Sequence, residues 1–392
     1  MPASHSAFDV AVLGGGPAGS VTALLLARAG ASVILLEASD YRDARLGETL
    51  PPLINPLLGH LELTNRFSAQ RPSASEGVIS IWGQVRPSIN DFMFDAHGSG
   101  WRIDRARFDR MLADSAADAG AEVRLARVVS CGRSRSAGWS VTFETAQRTA
   151  SCEAAFLVDA TGRSGTAGLS QLSPKTVYDR LIGVAWFGRC TADEPHALIE
   201  SVDEGWFYSA AMPDGRVAVV YMTDSDLYRR GCARYQDYWF KQLAKTTMTR
   251  RRFAPRESRA ALRIQSAASI LCRKPTGQGW LAVGDAAMSF DPLSGLGVYR
   301  ALEGASIAAT TIEDVLSRGG SSGSPWNNVS YDRWIRRTFA EYLGLRRHHY
   351  TAEQRWPDST FWRRRHEPLH PSESVKSRMG ARTSSIRASS SS

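Results

Sequence analysis

Gly14-x-Gly16-x-x-Gly19, with Glu37 placed 18 residues beyond the last glycine, is the spacing in this 392-residue chain most directly suited to binding chemistry. The first glycine of such a set permits a tight turn, and the second lets an anion approach the backbone. The third packs helix on strand, and an acid at that distance suits a ribose hydroxyl. A second constellation is GWLAVGDAAMSFDPLSGLG, residues 279–297. Trp280 to Val283 reads as a short buried strand closed by Gly284-Asp285. From about Ser294 the apolar spacing (Val298, Ala301, Leu302, Ala305, Ala308) is helical, so Ser294 to Gly297 falls at a helix N-terminus. Free N–H groups there suit an anion or a polar oxygen, although an ordinary strand-to-helix connection is the competing reading. Nucleophilic catalysis has no support: Ser/His/Asp and Cys/His arrangements are lacking. Five cysteines (131, 152, 190, 232, 272) without CxxC spacing argue against a zinc site or a disulfide framework.

The elements that must position these residues begin with an apolar strand, Phe8 to Leu13, and a small-residue helix, Ala18 to Ala29. A second strand, Ser32 to Leu36, ends in Glu37. Strand, helix, strand and acid in register predict a dinucleotide site. Residues 102–120 read as a helix, 122–130 and 138–145 as strands, and 152–162 as a buried strand entering a glycine turn at Asp159-Ala160-Thr161-Gly162. One GxGxxG provides for one ADP moiety. The elements at 159–162 and 284–297 then serve the distal half of the same cofactor, which fits FAD rather than NAD. No attachment residue is identifiable, so the FAD is expected to be non-covalent. Residues 178–223 are β-rich with turn residues such as Asp214-Gly215 between the segments, the texture of an antiparallel sheet. Residues 231–247 and 329–352 read as helices. The expected fold is α/β, a Rossmann-like FAD-binding domain (1–65, 101–175, 275–325) with an inserted, mainly antiparallel β-sheet substrate domain (66–100, 176–274). A C-terminal helical segment (326–370) and a disordered tail (371–392) follow.

Composition excludes little else. Hydrophobic residues make up 43% and charged residues 22%, ordinary globular values. The net charge of +9 is built from arginine, since there are only five lysines and the first is Lys175. Segment 331–366 carries nine arginines against four acids; it either docks an acidic partner or packs as helices on the FAD domain. No apolar run reaches the ~18 residues of a membrane span, and residues 1–7 lack a basic region. The expectation is a cytoplasmic protein with no nucleic-acid partner.

GGGPAG, the Glu37 strand end, Asp159-Ala160-Thr161-Gly162, Gly284-Asp285, Asp291-Pro292 and Gly295-Leu296-Gly297 together resemble the FAD-dependent oxidoreductases of the glutathione-reductase-like class. That class includes para-hydroxybenzoate hydroxylase, geranylgeranyl reductases and tryptophan halogenases. The resemblance implies that Gly14, Gly16, Ala18, Gly19, Glu37, Arg45, Glu48, Arg105, Asp159, Gly162, Gly284, Asp285, Pro292, Gly295, Leu296 and Gly297 surround FAD. Asp285 would hold the ribityl chain, and the amides of 295–297 would face the flavin ring. RLGETLPP (45–52) is similar to the halogenase branch, yet two features of that branch are missing. Its hypohalous chemistry uses a lysine following this motif, and no lysine precedes Lys175. Its W-x-W-x-I-P is replaced by Trp206-Phe207-Tyr208-Ser209-Ala210-Ala211-Met212-Pro213.

GETLPP, ISIWGQ (79–84), WRIDRARFD (101–109), GWFYSAAMPDGR (205–216) and QRWPDSTFWRRR (354–365) are more similar to the LodB/GoxB-like flavoproteins and QhpG-like monooxygenases of tryptophylquinone biogenesis. That likeness implies a monooxygenase hydroxylating a protein-bound tryptophan in a quinoprotein precursor. It would use O2 and take electrons from NAD(P)H or a separate flavin reductase. Flavin monooxygenation delivers electrophilic oxygen, so an electron-rich indole is a fitting substrate. Trp82, Trp206 and Tyr208 are candidates for the pocket wall and His97 for proton handling. Core packing for the aromatics and a solvated loop position for His97 compete with those roles. A flavin hydroxylase or reductase for a small aromatic or lipid substrate, and a non-catalytic FAD-stabilised maturation chaperone, are the alternatives.

Overall fold

The computed structural model describes residues 6–134, 138–163, 165, 169, 172–189, 194–230, 235–252, 261–318 and 329–367. The expected tail, 371–392, lies outside them.

Five parallel strands form the nucleus, in the order Trp280–Ala282, Thr149–Asp159, Ser6–Leu13, Val33–Glu37, Glu122–Leu125. Ser6–Leu13 is flanked on both sides, and Val10 to Leu13 are fully buried, which explains an unbroken apolar run rather than alternation. Register brings the strand ends together: Leu13 stands beside Leu36 and Asp159, and Asp159 beside Ala282. Their carboxyl ends therefore open on one edge, where ligands of such sheets bind. Helix Pro17–Arg28 follows the glycine turn and packs against helices Arg105–Asp118 and Gly297–Ser317.

Two expected boundaries shift for physical reasons. The segment read as one strand over 122–130 is two, because its halves take different partners: Glu122–Leu125 pairs in parallel with Val33–Glu37, ending with the Ala126 N–H on Glu37 O at 2.7 Å, and Arg127–Arg133 pairs with Trp139–Glu144. The helix expected from Ser294 begins at Gly297. Pro292–Ser294 instead form a 3₁₀ turn capped by the Asp291 side chain on Leu293 N (3.0 Å), and Gly295 closes it with φ 63°. Of the helix read over 231–247, Tyr235–Leu243 is observed, while 231–234 lie outside the described residues.

A seven-stranded sheet runs Arg263–Ser266, Leu181–Arg189, Arg216–Asp224, Gly205–Ala211, His196–Val202, Gly77–Ile81, Ser88–Asp91. All its pairs are antiparallel except His196–Val202 with Gly77–Ile81. Alternation divides its residues between two cores. Val184, Trp186, Phe207, Val219 and Tyr221 pack with Trp239 of helix Tyr235–Leu243. Trp206, Val220 and Met222 pack with Tyr350, Phe361 and Trp362 of helices Val329–Thr351 and Thr360–His366.

The C-terminal helices are thus structural, and most of their arginines are neutralised internally. Arg365 bonds Asp224 (2.8 Å) with both side chains only 2% exposed, and Arg364 bonds Asp224 and Asp226 (2.8 Å each). Arg346 reaches Asp179 and Asp291 (3.2 Å each). Arg336 pairs with Asp332, Arg337 with Glu341 and Arg355 with Glu353. Of the two roles open to segment 331–366, packing accounts for Arg346 and Arg365, while Arg336 and Arg337 pair with acids of their own helix and stay largely exposed.

Candidate functional site

A cleft of about 1420 Å³, open mouth included, lies between the carboxyl edge of the parallel sheet and the seven-stranded sheet. Its walls come from four places: the glycine turn (Gly16, Pro17, Ala18), the RLGETLPP segment (Leu46 to Thr49), the Ala160–Arg163 turn and the Asp285–Gly297 stretch. Val220, Met222, Tyr208 and Gln265 of the seven-stranded sheet close the far side.

The glycine turn is locally determined. Gly14 has φ 108°, and a Cβ there would strike the Ala160 carbonyl; a Cβ on Gly19 would strike Gly14 O. Both glycines hold the turn against the sheet. Gly16 is different, because a Cβ on it meets nothing within 4 Å and it lines the cleft. The space beside it suits an anion against the helix N-terminus. Gly162, Gly295 and Gly297 likewise have nothing within 4 Å and line the cleft, leaving room for a planar or extended group against the backbone.

Glu37, 8% exposed, accepts from Gly15 N (2.6 Å) and from Ser39 N (2.9 Å) and Oγ (2.5 Å). Arg45 spans from Glu37 (3.4 Å) to the buried Asp109 (2.8 Å). Neither lines the main cleft; they stand behind the glycine turn, where an adenosine half would extend. Glu37→Ala is expected to weaken FAD binding by about 1.5–3 kcal/mol, the loss of a charge-assisted bond. Fluorescence titration of the apoprotein with FAD measures this, and an unchanged Kd would refute the assignment.

Arg105 lies in the wall, donating to Leu46 O (2.6 Å) and to Asp109 (3.1 and 3.2 Å). Its guanidinium fills the space a Gly47 side chain would need, and Gly47 has φ 104°, so GETLPP requires glycine there. Glu48 is fully buried with its Oε2 accepting from Gly47 N (3.1 Å). Burial pushes its carboxyl up to about 7 against the pull of backbone N–H groups and Arg105. Thr49 Oγ1 and Tyr208 OH are 2.9 Å apart, and burial with the nearby Glu48 pushes the Tyr208 phenol up.

Asp159 is buried and holds Thr161 N (3.1 Å) and Oγ1 (2.6 Å), shaping its turn rather than facing the cleft. Asp285 lines the cleft and accepts from Arg163 Nε (3.0 Å), whose other nitrogens bond Ala268 O (2.6 Å) and Phe290 O (2.8 Å). Pro292 also lines it, whereas Gly284 and Leu296 support the loop from outside.

Of the four expected substrate-pocket residues, Tyr208 lines the cleft. Trp206 is 1% exposed, donates to Tyr350 OH (3.0 Å) and packs in the C-terminal core. Trp82 donates to His349 O (2.7 Å) and meets Trp206, Tyr350 and Trp362 edge to face. His97 is on an exposed loop beside Asp95 (3.0 Å). For these three the structural roles weighed in the sequence are the ones observed. Sequence reasoning missed Arg163, Gln265, Ser266 and Met222. Arg163 alone carried a signal, following directly on Asp159-Ala160-Thr161-Gly162.

Among the described residues no His/Cys/Asp/Glu group could hold a metal, and no helix is long and apolar enough to cross a membrane.

The tryptophan halogenase family model matches residues 9–78 and 73–391. LodB of Marinomonas mediterranea, described as an FAD-dependent oxidoreductase, is 32% identical over 92% of this chain and 97% of its own length. The tryptophan 2-halogenase of Chondromyces crocatus is 26% identical over 80% of the chain, which spans only 62% of that enzyme. Among solved structures, the myxobacterial chondrochloren halogenase CndH superposes with TM-score 0.82 at 23% identity, covering 92% of this chain and 86% of its own. The peptidyl tryptophan dihydroxylase QhpG superposes with TM-score 0.73 at 26% identity, covering 93% and 81%. With a dinucleotide turn, a cleft shaped for an extended cofactor and these matches along nearly its whole length, the chain belongs to the tryptophan halogenase family and is an FAD-dependent enzyme.

Proposed function

We propose that this enzyme is an FAD-dependent monooxygenase that hydroxylates a tryptophan within a polypeptide, as a step in maturing a tryptophylquinone partner enzyme. The observation that carries this reading is that, among the described residues, no lysine lines the cleft. Its cationic wall residues are Arg105 and Arg163, and no lysine precedes Lys175. A family member without the lysine expected of hypohalous chemistry is suited to delivering oxygen rather than halogen. Likeness to LodB over nearly the full length of both chains supports it, as does likeness to QhpG, a peptidyl tryptophan dihydroxylase essential for tryptophylquinone cofactor biogenesis.

FAD, when bound and reduced, activates O2 for transfer to an electron-rich ring. The chain's own residues supply the setting. Gly16, Gly295 and Gly297 would let backbone approach the cofactor, and Arg163, bonded to Asp285 and the Phe290 carbonyl, would hold that part of the wall in place. Val220, Met222 and Phe290 give the cleft an apolar stretch of wall, which would limit water around a reacting ring. Orientation and a dry pocket, rather than a nucleophile, are what this chemistry asks of the protein.

The test is co-expression with a quinoprotein precursor and mass measurement of its tryptophan-bearing peptide. A gain of ~16 or ~32 Da, one or two oxygen atoms delivered by reduced flavin, is expected, with no bromotryptophan formed from free tryptophan and bromide. Robust bromination would make the chain a halogenase. An unmodified peptide beside a flavin that cycles with O2 on a small phenol would make it a small-molecule hydroxylase.

A further inference from the structure

Arg263–Ser266 is an edge strand of the seven-stranded sheet, and among the described residues it pairs on one side only, antiparallel to Leu181–Arg189. All four of its residues are exposed, Ile264 at 51%. Gln265 and Ser266 also line the cleft. The opposite edge of the sheet, Ser88–Asp91, is exposed as well, yet none of its residues lines the cleft. An exposed edge is a template for another chain, and proteins ordinarily blunt it with proline or charge. Ser88–Asp91 follows Pro87 and ends in an acid, whereas Ile264-Gln265-Ser266 carries neither.

Register decides which groups this edge offers. Ala267 N donates to Leu181 O (2.9 Å), and these two residues continue the register that sets Ser266 opposite Ile182 and Gln265 opposite Gly183. Antiparallel ladders alternate hydrogen-bonded with non-hydrogen-bonded pairs. Gln265 with Gly183 is therefore a bonded pair, and the N–H and C=O groups of Ile264 and Ser266 point outward. Two donors and two acceptors, two residues apart, are the groups an incoming strand takes up.

Side chains follow the same count. Gln265, Gly183, Met222 and Trp206 form one row across the sheet, and the first three line the cleft. A strand added outside Arg263–Ser266 extends this row by one place, about 4.8 Å from Gln265. Its residue opposite Gln265 presents a side chain on the cleft face, while the residues on either side turn away. Arg263, on the same face, reaches Ala44 O (2.9 Å) and ties this rim of the sheet to the residue before RLGETLPP.

We propose that an extended segment of the polypeptide substrate docks by adding a strand to Arg263–Ser266, with its tryptophan opposite Gln265. Main-chain bonds to Ile264 and Ser266 hold the segment, and the pleat aims the indole at the cleft. The docking rests on the reading of the substrate as a polypeptide, since a small molecule has no main chain to pair.

The probe is a synthetic peptide spanning the tryptophan of a quinoprotein precursor, and the measurement is single-residue hydrogen exchange on the FAD-loaded enzyme. The Ile264 and Ser266 amides should exchange fast in the enzyme alone. With the peptide at about nine times its Kd they should slow about tenfold, the factor 1 + [L]/Kd. The Gln265 amide, already bonded to Gly183, should be protected from the start. Ile264→Pro removes one outward N–H and no ladder bond, at a place where an edge strand accepts proline. Peptide affinity, measured by fluorescence polarisation, should fall roughly tenfold, as one hydrogen bond is lost and its partner left unpaired. FAD content should not change, and Ile264→Val, which keeps the N–H, should bind like the unchanged protein. Both amides protected without peptide, by a second copy or by the chain itself, would overturn the proposal. Peptide binding that leaves both amides fast would do the same. Protection without oxygen gained by the peptide would keep the docking and sink the monooxygenase reading. Oxygen gained without protection would do the reverse, and a peptide that neither binds nor gains oxygen would refute both.

Discussion

Gly16→Val is expected to yield a folded, colourless protein. A Cβ on Gly16 meets nothing within 4 Å, so the protein itself offers no obstacle to a side chain there, and Gly16 does not need positive φ. The space it would fill is the space into which the Gly16–Ala18 backbone faces at the start of helix Pro17–Arg28. Anion binding there depends on close approach to N–H groups. Losing two charge-assisted bonds, at about 1.5–3 kcal/mol each, would weaken FAD by roughly 3–6 kcal/mol. That is a loss of two to four orders of magnitude in affinity. Gly19→Val supplies the contrast, because a Cβ there collides with Gly14 O and Ala160, so this change should damage the fold itself. Circular dichroism melting and flavin absorbance, measured on both variants, separate the two effects. A yellow Gly16→Val protein with normal FAD content would mean that the cofactor does not pass this turn.

The dinucleotide half was legible because its determinants are local. Turn, helix and strand between Phe8 and Glu37 each follow from residues within a few positions, and the apolar run of the central strand needs only neighbours on both sides. The 122–130 segment divides because its two halves pair with different strands, Val33–Glu37 and Trp139–Glu144, a change of neighbour that no local pattern records. The substrate wall was legible only in part, for a related reason. Trp206 and Tyr208 sit two apart on one strand and so share a face. Sequence cannot say that Tyr350 and Trp362, from helices some 140 residues later, cover one of them and leave the other to the cleft. Trp82 is claimed by the same cluster. The pairing of charge is non-local in the same way. The arginines of 331–366 look like a docking surface in composition, but their acids lie partly on other elements, at Asp179, Asp224, Asp226 and Asp291.

Those acids connect the C-terminal helix to the loop that borders the flavin cleft. Asp291 is fully buried and receives Leu293 N (3.0 Å), Arg346 Nε (3.2 Å) and Tyr350 OH (2.8 Å), while its own N–H donates to Tyr342 OH (2.8 Å). Tyr342, Arg346 and Tyr350 recur every four residues, so one stripe of helix Val329–Thr351 grips the turn that leads into Gly295 and Gly297. Arg346 also joins Asp179, which is fixed by Ser269 Oγ (2.7 Å). Arg346→Met keeps most of the volume but leaves Asp291 and Asp179 buried together without their cation. Breaking a buried pair in this way costs about 3–5 kcal/mol. At about 2–4 °C per kcal/mol for larger domains, Tm should fall by roughly 6–20 °C. FAD affinity should fall with it, since the turn that presents Gly295 and Gly297 loses its anchor. Arg347→Met is the control: it is the neighbouring residue on the exposed side of the same helix, where substitutions usually stay within about 0.5 kcal/mol. If the two variants melt together and bind FAD alike, the grip on Asp291 contributes nothing, and the C-terminal helices merely cover the sheet.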